Sequence, residues 1–102
     1  MFELMDDQLL CSTNAGAFLL FYYTDWCPLC PAVLEILMDL ERTWPPVQFA
    51  KLRFEACPEA VRLHRVVGVP TVLALRDGVP GEMMPGLRTR EEYRALLDSV
   101  RK

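Results

Sequence analysis

The sequence predicts an α/β domain: a central mixed β-sheet with helices on both faces. Three observations predict it. Short apolar runs alternate with stretches of helical periodicity along the first two thirds of the chain. An Asp-Gly pair then separates two further strand-like runs. A Cys-x-x-Cys pair, Cys27 and Cys30, falls where an apolar run ends and a helical pattern begins.

Taken in order, Phe2 to Met5 reads as a short strand, and Asp6 to Ser12 as one or two helical turns. Asn14 to Gly16 is a turn. The run AFLLFYY, Ala17 to Tyr23, is apolar and aromatic throughout, which suits a central strand buried on both faces. From Pro31 to about Thr43, Val33, Ile36, Leu37 and Leu40 recur at helical spacing with Glu35, Asp39 and Glu41 between them. Trp44-Pro45-Pro46 ends that helix, because proline disfavours helix in the residue before it.

Val47 to Phe54 alternates loosely and reads as a second buried strand. Pro58 to Val66 is a short helix opened by a proline, a good first-turn residue. Gly68-Val69-Pro70-Thr71 precedes a strand, Val72 to Arg76, and Asp77-Gly78 is a strong hairpin signal. The next strand, near Gly81 to Met84, is flanked by Pro80 and Pro85 and so belongs at an edge. Thr89 with Glu92 three residues later is a capping box for a last helix that carries Tyr93, Leu96, Leu97 and Val100 on one face. The order β-α-β-α-β-α-β-β-α puts the first three strands in parallel crossovers and the last two in a hairpin.

The 102 residues suffice for a single domain, 1–102, with one core, and 52% of them are hydrophobic. The net charge of −3 argues against nucleic acid, which needs a basic patch. The N-terminus, MFELMDDQ, lacks the basic and apolar regions of a signal peptide, and the seven-residue apolar run is too short to span a bilayer. Those features place the chain in the cytoplasm and off the membrane, where a Cys-x-x-Cys pair is catalytic or metal-binding more often than a permanent staple.

The position of the pair favours electron exchange. The first turn of a helix has unpaired N–H groups and a positive dipole end, and both stabilise a thiolate, the form that attacks disulfides. Cys27, at the junction, is expected to be exposed with a lowered pKa; Cys30 lies deeper in the turn and close enough to bond to it. Zinc usually takes four ligands, and the other candidates, Cys11, Cys57 and His64, are not paired at zinc-binding spacing, so no metal is expected. Trp26, beside the nucleophile, reads as a groove wall. Trp44 reads as a cap on the core, Cys57 and Cys11 as small buried side chains, His64 as a solvated surface residue, Met83-Met84 as packing, and Arg90, Glu91, Glu92 and Arg94 as a solvated helix face.

With FLLFYYTDWCPLC, Ala50-Lys51-Leu52, Gly68-Val69-Pro70-Thr71, Asp77-Gly78, Gly86 and the amphipathic last helix, the chain resembles the thioredoxin family over nearly its whole length. The resemblance implies a thioredoxin fold and a cis peptide bond before Pro70. It also implies a substrate groove formed by Trp26, Val69, Pro70 and Gly86. It implies a thiol-disulfide oxidoreductase that reduces protein disulfides, carrying electrons in cellular redox balance. Cys27 would be the nucleophile and Cys30 the resolving thiol, with no cofactor beyond the redox-active disulfide. A flavin-dependent reductase would be the electron donor, and the chain would be a monomer. Two further readings are a glutathione-dependent, glutaredoxin-like enzyme and a docking subunit with weak activity.

Three departures from the family pattern stand out. The buried acid usual six residues before the first cysteine is replaced by Phe21, while Lys51, which would pair with it, remains; Asp25 or Glu35 are the nearby carboxylates in sequence. The dipeptide between the cysteines is Pro28-Leu29, a proline placement closer to glutaredoxins and some disulfide oxidants. Pro31 follows the second cysteine and is expected to distort the first helical turn or delay the helix.

Overall fold

The computed structural model describes residues 1–4, 13, 15–43 and 46–100. The turns expected in Asp6 to Ser12, and the readings for Cys11, Asn14 and Trp44, lie outside the described residues. Five strands form one sheet: β1 (Phe2–Leu4), β2 (Ala17–Tyr23), β3 (Gln48–Arg53), β4 (Thr71–Arg76) and β5 (Val79–Pro85). Their spatial order is β1-β3-β2-β4-β5. β1 and β2 both run parallel to β3; β4 runs antiparallel to β2 and to β5. The mixed sheet expected from the sequence is therefore present.

Among the described residues the α-helices are α1 (Cys30–Glu41), α2 (Pro58–Leu63) and α3 (Arg90–Val100). The alternation of side chains along a strand decides what each faces. On β2, Leu19 and Phe21 join a core with Val33, Leu37 and Leu40 of α1 and Tyr93, Leu96, Leu97 and Val100 of α3. Phe18, Leu20 and Tyr22 join a second core with Ala60 of α2, Cys57 and Val66. Helices thus cover both faces, and the unbroken apolar run of β2 is buried on both sides. Met84 packs in the first core and Met83 against the second.

Local signals set most boundaries. Asp77 (φ 50°) and Gly78 (φ 81°) both take positive φ, the two-residue turn that matches strand twist. β5 is an edge strand, so Pro80 and Pro85 cost it no interior ladder bond. The capping box is made: the Glu92 N–H donates to Thr89 Oγ1 at 3.2 Å, and the Thr89 N–H to Glu92 Oε1 at 3.1 Å. Arg90 also forks onto Asp39 Oδ2 at 3.0 and 2.7 Å, tying α3 to α1.

Two expectations are corrected. The helix read as Pro58 to Val66 stops at Leu63. Arg65 takes φ 59°, its N–H bonds to the Arg62 carbonyl at 3.2 Å, and the Val66 N–H returns to the Val61 carbonyl at 2.9 Å. This is a Schellman stop, usually marked by glycine, here built on an arginine. His64 is not a solvated surface residue. It is 6% exposed, and its Nδ1 lies 2.8 Å from the Tyr22 hydroxyl. It stands four residues after buried Ala60, on the same face of the turn. Burial holds its imidazole pKa below the usual value.

Candidate active site

The site begins where β2 ends. Cys27, Pro28, Leu29 and Cys30 form a turn closed by the Cys30 N–H on the Cys27 carbonyl at 3.3 Å. Leu29, at φ −91° and ψ −16°, has the angles of the third residue of a type I turn, and Pro28 fills the second place, for which its ring is preset. Cys30 is the first residue of α1, and the first helical bond runs from the Val33 N–H to the Leu29 carbonyl at 3.2 Å. Pro31 neither distorts nor delays the helix. It occupies the first turn, where an N–H would have no intrahelical partner.

Cys27 and Cys30 are joined in a disulfide with their Cα atoms 5.3 Å apart. Contrary to expectation, Cys27 is not well exposed: it is 9% exposed against 5% for Cys30. Its bond to a residue on the buried face of α1 draws it into the first core. Trp26 stands out instead, 80% exposed.

The Val69–Pro70 peptide is cis. Pro70 is buried, and Val69 packs against the core that holds both cysteines. The Thr71 hydroxyl donates to the Gly68 carbonyl at 2.7 Å, and the Gly86 N–H donates to the Pro70 carbonyl at 2.8 Å. Gly86 has φ +79°, which a side chain would strain. The Tyr93 hydroxyl donates to the Gly86 carbonyl at 3.3 Å and accepts the Arg88 N–H at 3.1 Å. Val69, Pro70 and Gly86 are thereby brought together from two separate segments.

A cleft of about 230 Å³ opens beside the disulfide, lined by Phe21, Tyr23, Thr24, Asp25, Cys27, Cys30, Pro31, Leu34 and Lys51. Phe21 is 1% exposed and lies opposite Lys51 on β3. Lys51 Nζ sits 5.7 Å from the centre of the Tyr23 ring, and the Arg53 guanidinium 5.2 Å from it. Arg53 pairs with Asp25 at 2.5 Å. The Tyr23 hydroxyl donates to Glu3; burial, and then that acidic partner, push its pKa up to about 12. Glu35 is elsewhere, in the α1–α3 groove with Asp39 and Arg90. Tyr23 and Arg53 were not singled out from the sequence. The signal available was the period of two that puts Lys51 and Arg53 on the same side of β3.

The thioredoxin family model matches residues 6–99. The chain belongs to the thioredoxin family. A thioredoxin from Chlamydia muridarum is 26% identical over 91 residues, 89% of each chain. Glutaredoxin-3 of Mus musculus is 25% identical over 85 residues, 83% of this chain and 25% of that protein. Among solved structures, a mutant thioredoxin from Halobacterium salinarum superposes with a TM-score of 0.86 at 21% identity, covering 100% of this chain and 90% of the other. Fasciola hepatica thioredoxin superposes at 0.84 with 22% identity, covering 98% and 99%. The chain is thus a thioredoxin-family oxidoreductase carrying a Cys-x-x-Cys pair at disulfide distance. Where the family resemblance leads one to look for a buried acid, the cleft presents the Phe21 ring and leaves Asp25 at its rim.

Among the described residues no three His, Cys, Asp or Glu side chains cluster as metal ligands. Among those residues, too, no helix is long and apolar enough to cross a membrane.

Proposed function

We propose that the protein reduces protein disulfides, with Cys27 as nucleophile and Cys30 as resolving thiol. The observation that carries this is the bonded pair at the start of α1, packed in one core with Val69 of the cis-proline loop. In the reduced protein, the positive end of α1 favours a thiolate at Cys27. That thiolate attacks a substrate disulfide and one substrate sulfur leaves as a thiolate. Cys30 then attacks Cys27, releasing the second substrate sulfur and restoring the Cys27–Cys30 bond. Exposed Trp26, with Val69, Pro70 and Gly86, forms the wall and floor against which an extended substrate segment lies. Pro28 fixes the turn and Lys51 lies at the cleft. The Cys27–Cys30 pair itself stores the two electrons of this exchange, so the mechanism calls on no cofactor.

The working partners are protein disulfides and a flavin-dependent thioredoxin reductase, acting on a cytoplasmic monomer. Likeness to a glutaredoxin supports a second reading in which glutathione supplies the electrons. Insulin reduction, with Cys27→Ser as control, tests the function. Coupling to thioredoxin reductase rather than to glutathione and its reductase selects the donor. Absence of insulin reduction by the unaltered chain would favour a docking role.

A further inference from the structure

We propose that Asp25 accepts the proton of Cys30 through water in the cleft beside the disulfide, with Arg53 as its positioning residue. The proposal rests on the reading of Cys30 as resolving thiol. Cys30 is 5% exposed and must become a thiolate before it can attack. Burial disfavours that charge, so the proton needs an acceptor. Phe21, on the central strand beside it, offers no polar atom.

Besides the two cysteines, the titratable groups lining the cleft among the described residues are Tyr23, Asp25 and Lys51. The Tyr23 hydroxyl, pushed up to about 12, keeps its proton at neutral pH and donates it to Glu3 on β1. Lys51 lies over the Tyr23 ring as an ammonium, which has no acceptor lone pair, and the Arg53 guanidinium has none either. α1 presents only Pro31 and Leu34 beside Cys30. Asp25 is left as the base. Its ion pair with Arg53 engages Oδ2, and its side chain is 62% exposed, so a proton received there passes to bulk water. The cleft of about 230 Å³ has room for several waters, each needing roughly 30 Å³.

The step balances. The Cys30 S–H proton moves through water to the Asp25 carboxylate. The Cys30 thiolate attacks Cys27 Sγ, the bond between Cys27 and the substrate sulfur breaks, and its electron pair leaves on that sulfur. The departing thiolate takes up a proton. The protein dithiol is oxidised by two electrons and the substrate disulfide is reduced.

The experiment is stopped-flow reaction of the reduced full-length chain, carrying Cys11→Ala and Cys57→Ala in every variant, with 5,5′-dithiobis(2-nitrobenzoate), which releases one coloured thiolate when Cys27 attacks and a second when Cys30 resolves the adduct. The phase lost in Cys30→Ser is the resolving step. In Asp25→Asn that phase should slow by about 100-fold near neutral pH, the lower end of the range for general-base assistance. The deficit should close as rising pH supplies hydroxide. Asp25→Glu should restore most of the rate, and the first phase should not slow. A purely electrostatic role has the opposite sign, since removing a negative charge beside a thiol favours its thiolate. An unchanged or faster resolving phase in Asp25→Asn would therefore overturn the assignment. If Cys30→Ser keeps both phases, the resolving role of Cys30 and this proposal fall together.

Discussion

Reducing the Cys27–Cys30 disulfide should destabilise the fold. The bond closes a four-residue ring between the end of β2 and the first residue of α1. By the chain-entropy relation, a ring that small takes about 1.9 kcal/mol of freedom from the unfolded chain. The reduced form recovers part of this, because a thiolate at a helix N-terminus gains about 0.3–1 kcal/mol. The oxidised protein should be the more stable by about 1–1.5 kcal/mol, or roughly 5–10 °C in Tm for a domain of this size. Circular-dichroism melts and urea titrations with and without dithiothreitol, near neutral pH, measure the difference. By the thermodynamic cycle, the same quantity makes the folded disulfide harder to reduce than that of the unfolded chain by about 20–30 mV. A reduced form more stable than the oxidised one would refute the reasoning and turn the reading from reductant to oxidant. The potential itself should fall between about −200 and −260 mV, above the roughly −270 mV of thioredoxin, because no buried carboxylate at Phe21 opposes the thiolate. Titration against glutathione buffers, followed by Trp26 fluorescence, measures it.

Cys30→Ser should accumulate mixed disulfides with client proteins on non-reducing gels, while Cys27→Ser accumulates none; equal trapping by both would contradict the assigned roles. Burial holds the His64 pKa below its ordinary 6.5, so the unfolded chain takes up that proton first. This contribution to stability is complete above about pH 6.5 and is lost below it, at up to about 1.4 kcal/mol per pH unit, until the folded imidazole itself titrates. Urea midpoints across that range should show the slope, and His64→Gln should flatten it. Thr89→Ala removes the side-chain cap of α3 and should cost about 1 kcal/mol in the same titration.

Features whose physics closes within a few residues were legible in the sequence. The two-sided burial of Ala17 to Tyr23, the Asp77-Gly78 turn, the Thr89–Glu92 box and the Cys-x-x-Cys pair between a strand and a helix each depend on neighbours along the chain. So does the edge position of the proline-flanked β5. The family resemblance added the cis bond before Pro70, which base rates for proline alone would not have indicated. Tertiary structure decided what depends on partners far away. His64 is buried because Tyr22, 42 residues earlier, meets it across the second core. Cys27 is covered because its bond to Cys30 draws it toward the buried face of α1. α2 stops at a left-handed arginine that no glycine announced. Asp25, and not Glu35, lies at the cleft, because its loop ends β2 beside Arg53 of β3 while Glu35 faces the α1–α3 groove. Periodicity assigns a residue to a face, but only the register between strands and the packing of helices determine which side chains meet there.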